Sequence, residues 1–142
     1  MENNIECNKG KLNSVCYAMW SVKLHVSLNT LKMIYYSYFH CEMTYGILFW
    51  GHSSDSIKIF RLQKKIIRIM IGCGISVSCR KLFSNLEIIP LLSQYILSLL
   101  LFVIRNRNQF LVNSEIYHVD TRHYAYFHQP SMSFTKYQTG VD

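Results

Sequence analysis

Between Ile57 and Ile71 the chain sorts its side chains onto two sides of a helix. At 100° per residue, Lys58, Arg61, Lys64, Lys65 and Arg68 fall within an arc of about 120°. Ile59, Leu62, Ile66, Ile69 and Met70 fill the opposite side, with Phe60 and Ile67 on its flank. In water such a segment is stable as a helix whose apolar stripe is covered by other elements and whose cationic stripe faces outward. His52-Ser53-Ser54-Asp55-Ser56 reads as the capping loop before it, with Asp55 placed for the helix N-terminus, and Gly72 and Gly74 as its stop.

The remaining chain must supply the cover. Leu12, Val15, Cys16, Met19, Val22 and Val26 recur at helical steps across Lys11 to Val26. Ser27 or Asn29 caps a second helix starting near Leu28. Its continuation, Leu31 to Tyr45, is apolar almost all round and is expected to be a buried central helix. Ile47-Leu48-Phe49-Trp50, between Gly46 and Gly51, fits either a closing helical turn or an extended link. Ser78 caps a short helix to Leu86, and Pro90 opens another that runs to about Asn106. The expected fold is mainly α: a small bundle of four to five helices over residues 11–108. A frayed polar segment (1–10) precedes it and an irregular tail (109–142) follows.

A chain of 142 residues allows one domain with a single core. Half of it is hydrophobic and 16% is charged, which excludes general disorder, and 6 Gly with 2 Pro exclude collagen-like or low-complexity structure. The formal charge of +7 is concentrated. Lys58, Arg61, Lys64, Lys65, Arg68, Arg80 and Lys81 stand against Asp55 alone between residues 55 and 81, while the flanking regions are nearly balanced. One local field of this kind suits a phosphate backbone first and an anionic membrane surface second.

Other signals have plainer readings. Residues 88–104 carry no charge, but 17 residues is the short limit for a span, and Pro90, Ser93, Gln94 and Ser98 lie within it. A buried core helix is expected there, and membrane association is not. His118, His123 and His128 recur every five residues, which splays them on a helix and does not match zinc-ligand spacing. His40 and Cys41 are neighbours about 100° apart on a helix, which favours a structural role over a nucleophile pair. No two of the eight acids are adjacent, and there is no glycine-rich phosphate loop. No catalytic constellation results. Five cysteines without a C-x-x-C pair, no apolar leader and no N-x-S/T acceptor predict free, mostly buried thiols in an intracellular protein, nuclear or cytoplasmic and not secreted.

Five strings occur in order: KLNSVCYAMW (11–20), YYSYFHCEMTYGILFWG (35–51), RLQKKIIRIMIG (61–72), SCRKLFSNLEIIPLLSQYILSLLLFV (78–103) and NSEIYHVDTRH (113–123). Together they resemble the region that follows the polymerase palm in reverse transcriptases of jockey-like non-LTR retrotransposons of insects. The resemblance runs from about Lys11 to Val141. MENNIECNKG matches poorly, so Met1 is expected to be an accidental start within a longer element. The resemblance implies a parent polypeptide, with endonuclease and RNA-directed DNA polymerase parts, that nicks DNA and copies its RNA at the nick. The family's palm carries an aromatic-x-Asp-Asp motif whose carboxylates hold two metal ions (Mg2+ in the parent). This chain has no Asp-Asp. It is therefore expected to be inactive alone, to carry no cofactor of its own, and to correspond to a thumb-like region that holds an RNA–DNA or DNA duplex against the missing palm and fingers. Lys58, Arg61, Lys64, Lys65 and Arg68 are the expected phosphate contacts, with Arg80 and Lys81 second. The alternatives are a small helical protein-interaction module or a membrane-associated helix through residues 88–104.

Overall fold

The computed structural model describes residues 2–118 and 122–129, with side chains from Lys9 onward. Residues 130–142 of the expected tail, and 119–121 within the last of the five strings, lie outside the described residues. The fold is mainly α, and its α-helical segments are α1 (Glu2–Val22), α2 (Leu28–Ile34), α3 (Cys41–Thr44), α4 (Ile47–Trp50), α5 (Ser56–Ile71), α6 (Cys79–Leu86), α7 (Leu91–Arg105) and α8 (Asn113–Tyr117). The chain divides into two compact units, Met1–Ile96 and Leu97–Asp142. The division falls inside α7, earlier than the expected end of the bundle at residue 108.

In the first unit α5 packs against α1, α2 and α6. Its buried side chains are Ile59, Gln63, Ile66, Ile67 and Met70, spaced as one face of a 3.6-residue helix. Leu62 and Ile69, expected on that face, are half-buried, and Ile67, expected on the flank, is fully buried. The stripe is therefore centred on Gln63, the one fully buried polar side chain among the described residues. Its amide makes three hydrogen bonds. Nε2 donates to the Tyr35 hydroxyl (3.0 Å) and to the Ile89 carbonyl (3.0 Å), and Oε1 accepts from the Leu91 N–H (2.9 Å). Leu91 N–H is an orphan donor at the start of α7, so Gln63 caps that helix from inside the core. Burial pushes the Tyr35 hydroxyl well above its ordinary pKa, against a smaller lowering by Gln63. Gly72 ends α5 with φ +80°, a left-handed conformation that costs glycine little, and its N–H donates to the Arg68 carbonyl.

Helix α1 begins at Glu2, so the segment expected to fray has helical backbone. Once a turn is nucleated, each further residue adds a hydrogen bond for one pair of dihedrals, and polar residues propagate a helix already anchored downstream. Leu12, Cys16 and Met19 are fully buried. Burial pushes the Cys16 thiol up to about 11, although the Lys65 charge pulls the other way, which makes it unreactive at neutral pH. The free thiols are less buried than expected: Cys16 and Cys79 are buried, Cys73 is intermediate and Cys41 is exposed.

Residues Leu31–Tyr45 are amphipathic, not buried all round. Leu31, Tyr35, Phe39 and Met43 are buried at steps of four, while Met33, Tyr36 and Tyr38 are exposed. A strict four-residue stripe drifts about 40° per step on an α-helix. The chain absorbs the drift with a wider π-helical segment, Tyr35–His40, between α2 and α3. Ser27 caps α2 by accepting from the Thr30 N–H. The undecided Ile47–Trp50 stretch is helical. Gly51 follows it, so close to the Tyr95 ring that a Cβ would lie 2.4 Å from a ring carbon.

His40 and Cys41 do not act on one another. The Cys41 thiol donates to the Tyr36 carbonyl, and His40 packs edge-on against the Tyr36 ring at 5.4 Å with Nδ1 enclosed and unpartnered. Burial lowers the His40 pKa below its ordinary value. The unfolded state then binds more protons between the folded value and about 6.5, so the stability gained from a neutral His40 is complete above 6.5 and lost as pH falls toward the folded value. The melting temperature should drop across that window, and His40→Phe should lessen the drop. An unchanged acid limb in the variant would assign the loss elsewhere.

Helix α7 departs from the buried core helix expected. Leu91 is its one buried residue, and Leu92, Ile96, Leu100 and Ile104 form an exposed ladder at four-residue steps. No single helix among the described residues is long and apolar enough to cross a membrane. Only α6 and α7 taken together pass that test, as a pair bent by 52°. In the second unit the described tail is more ordered than expected. The Val112–Phe127 bridge and the bonds Asn113 N–H to Tyr126 carbonyl and His128 N–H to Leu111 carbonyl close a small loop around α8. Phe110 packs between Phe102 and Phe127.

Candidate nucleic-acid interface

The seven basic residues separate into two groups. Lys58, Arg61 and Lys65 project from the outer face of α5 and are exposed, as is Lys81 on the first turn of α6. Lys58 pairs with the carboxylate of Asp55, which occupies the N-cap position of α5 without a side-chain capping bond. Lys65 reaches Asn13 Oδ1 on α1 at 3.4 Å. Arg61 is exposed in the middle of the arc.

Lys64, Arg68 and Arg80 are instead gathered at a cleft of about 360 Å³ between α5 and the start of α6. The turn from Gly72 to Val77 brings Arg80 back beside side chains twelve and sixteen residues earlier. Both cations from α5 are held. Lys64 Nζ lies 4.3 Å above the centre of the Phe60 ring, which stacks on Phe83 at 6.2 Å. Arg68 Nη2 donates to the Val77 carbonyl at 3.2 Å, and its Nε is enclosed without an acceptor. Ser78 is the N-cap residue of α6, makes no side-chain capping bond, and lines the cleft together with Cys79 and Arg80. Among the described residues no carboxylate lines it. In the sequence Ser78 reads only as a helix cap and Phe60 only as a flank residue, and Phe83 carries no signal of its own. The return of the chain brings Ser78 and Phe83 to the cations of α5, while Phe60 meets Lys64 one turn along the same helix.

The three spaced histidines do not converge. His123 packs on Tyr126 and His128 on Tyr117, and among the described residues no three His, Cys, Asp or Glu side chains group as metal ligands would. What this surface can do chemically is bind anions. Comparison with protein families, with characterised proteins and with solved structures finds no match to this chain.

Proposed function

We propose that the chain is a non-catalytic, thumb-like piece of a retroelement reverse transcriptase and that α5 lies along the backbone of a primer–template duplex. The observation that supports this reading most is the exposed cationic arc of α5, with Arg61 and Lys65 opposite the buried face of Ile59, Gln63, Ile66, Ile67 and Met70. A helix fixed on one side by its core presents those charges at constant spacing to a phosphate backbone, where each displaces condensed counterions. The duplex supplies the charge, the missing palm supplies the metal ions and the chemistry, and this chain supplies grip. Binding to an RNA–DNA duplex should weaken steeply with salt, by a log–log slope of about 0.9 per phosphate contact. Arg61→Gln with Lys65→Gln should reduce that slope by about 2. An unchanged slope would refute the contact assignment, and nucleotide incorporation by this chain alone would refute its non-catalytic role.

The exposed ladder of Leu92, Ile96, Leu100 and Ile104 favours a second reading, a helical module that docks on another protein. Concentration-dependent sedimentation without any duplex binding would select it.

A further inference from the structure

We infer that the cleft between α5 and the start of α6 is a phosphate site that seats one backbone phosphate of the bound nucleic acid. The inference rests on the nucleic-acid reading above and adds to it a discrete pocket, distinct from the outer face of α5. Three cations from two helices converge on one concave space, with no carboxylate of the described residues in its wall. Two of them are already oriented before any ligand arrives, Lys64 by the Phe60 ring and Arg68 by the Val77 carbonyl. Preorganised donors lose little entropy on binding. Arg68 has spent one of its five N–H donors on the protein, which fixes the guanidinium at the cleft wall. Ser78, Cys79 and Arg80 at the start of α6 line the same cleft, and the helix dipole adds to the positive field. A tetrahedral oxyanion with several acceptor oxygens matches such a set; a planar carboxylate would leave donors unmet.

The test is an amide NMR titration of the full chain with inorganic phosphate and, separately, with a short RNA–DNA duplex. Both probes should shift the Cys79, Arg80 and Lys81 amides saturably. Arg80→Gln, an exposed position whose loss should not unfold the chain, should weaken phosphate binding at least about tenfold, the scale of one charge-assisted hydrogen bond. Arg61→Gln should leave it unchanged. Ser78→Asp gives a second check, because aspartate caps a helix as well as serine does and favours its dipole. It should keep or raise the melting temperature while abolishing phosphate binding by repulsion. Amides unmoved by phosphate would overturn the site and leave salt-steep duplex binding by the outer face intact. Equal losses in Arg80→Gln and Arg61→Gln would also overturn it, since the response would then be to the general field. Saturation by phosphate with amides unmoved by a duplex that does bind would identify a free phosphate ester as the ligand and overturn the backbone assignment. If phosphate saturates and the duplex does not bind at all, the thumb-like reading fails, and the backbone assignment with it.

Discussion

Replacing Gln63 by methionine should destabilise the chain by about 3 kcal/mol or more, although the two side chains have similar volumes and both fit an α-helix. The variant keeps the packing and removes three hydrogen bonds at once. It strands the Leu91 N–H and the Tyr35 hydroxyl in a region where Gln63 itself has no solvent exposure, and frees the part-buried Ile89 carbonyl. Each unmet buried group costs about 1–3 kcal/mol, against a total stability of about 5–15 kcal/mol for a domain. The loss should be read from urea unfolding. Adding Tyr35→Phe to Gln63→Met removes one stranded hydroxyl, so the double variant should be more stable than additivity predicts. A Gln63→Met variant within about 1 kcal/mol of the parent would mean that water replaces the amide, and the clamp between α5 and the start of α7 would carry little weight.

Gln63 also shows what the sequence does and does not reveal. The angular position of Gln63, midway between Ile59, Ile66, Ile67 and Met70, is readable from helical spacing alone. Its polarity hides it, because periodicity is scored on apolar residues and a glutamine in the apolar face looks like an interruption. The partners that make it tolerable, Tyr35 and the Ile89–Leu91 backbone, lie 26 to 28 residues away in sequence. The stop of α5 is readable for the opposite reason: Gly72 acts within one turn of the element it bounds, whereas Asp55 holds the N-cap position without a side-chain capping bond. Pro90 is equally local in fixing the start of α7.

Elements whose character depends on neighbours are harder to read. The Leu31–Tyr45 segment looks apolar all round, yet its four-residue stripe and its π-helical segment become apparent only when α1 and α5 choose the face they cover. Helix α7 has the composition of a core helix, and composition cannot say whether anything covers it. The basic arc of α5 is readable as a cationic face but not as two separate groups. Lys64 and Arg68 leave the outer surface for the cleft because Phe60 and the Val77 carbonyl draw them there, and Arg80 joins them through the Gly72–Val77 turn. Two residues inside the strings that carry the resemblance, Gly51 and Gln63, have packing roles in this structure.

Gly51 supports the second large prediction, which runs against the usual ranking of glycines. Gly46 has φ +65°, where an alanine costs roughly 1–2 kcal/mol by backbone conformation. Gly51 has φ −63° and ψ −21°, which any residue adopts freely. Conformation alone would therefore make Gly46→Ala the worse change. Space reverses the order. A Cβ on Gly46 meets nothing nearer than 3.9 Å, whereas on Gly51 it would lie 2.4 Å from a Tyr95 ring carbon and 2.6 Å from the Ile47 carbonyl oxygen. The ring can swing, but the carbonyl accepts the Gly51 N–H at 2.8 Å and can shift only by disturbing the end of α4. Overpacking of this kind costs about 1–3 kcal/mol and sometimes more, and two simultaneous contacts place Gly51→Ala at or above the upper end. Thermal or urea unfolding should rank Gly51→Ala as the more destabilising change. Tyr95→Ala in the same chain should recover part of the Gly51→Ala loss and none of the Gly46→Ala loss, because only the first arises from the ring. The reverse ranking, or equal recovery at both positions, would show that Tyr95 does not press on Gly51, and the docking of α7 against the end of α4 would have to be abandoned.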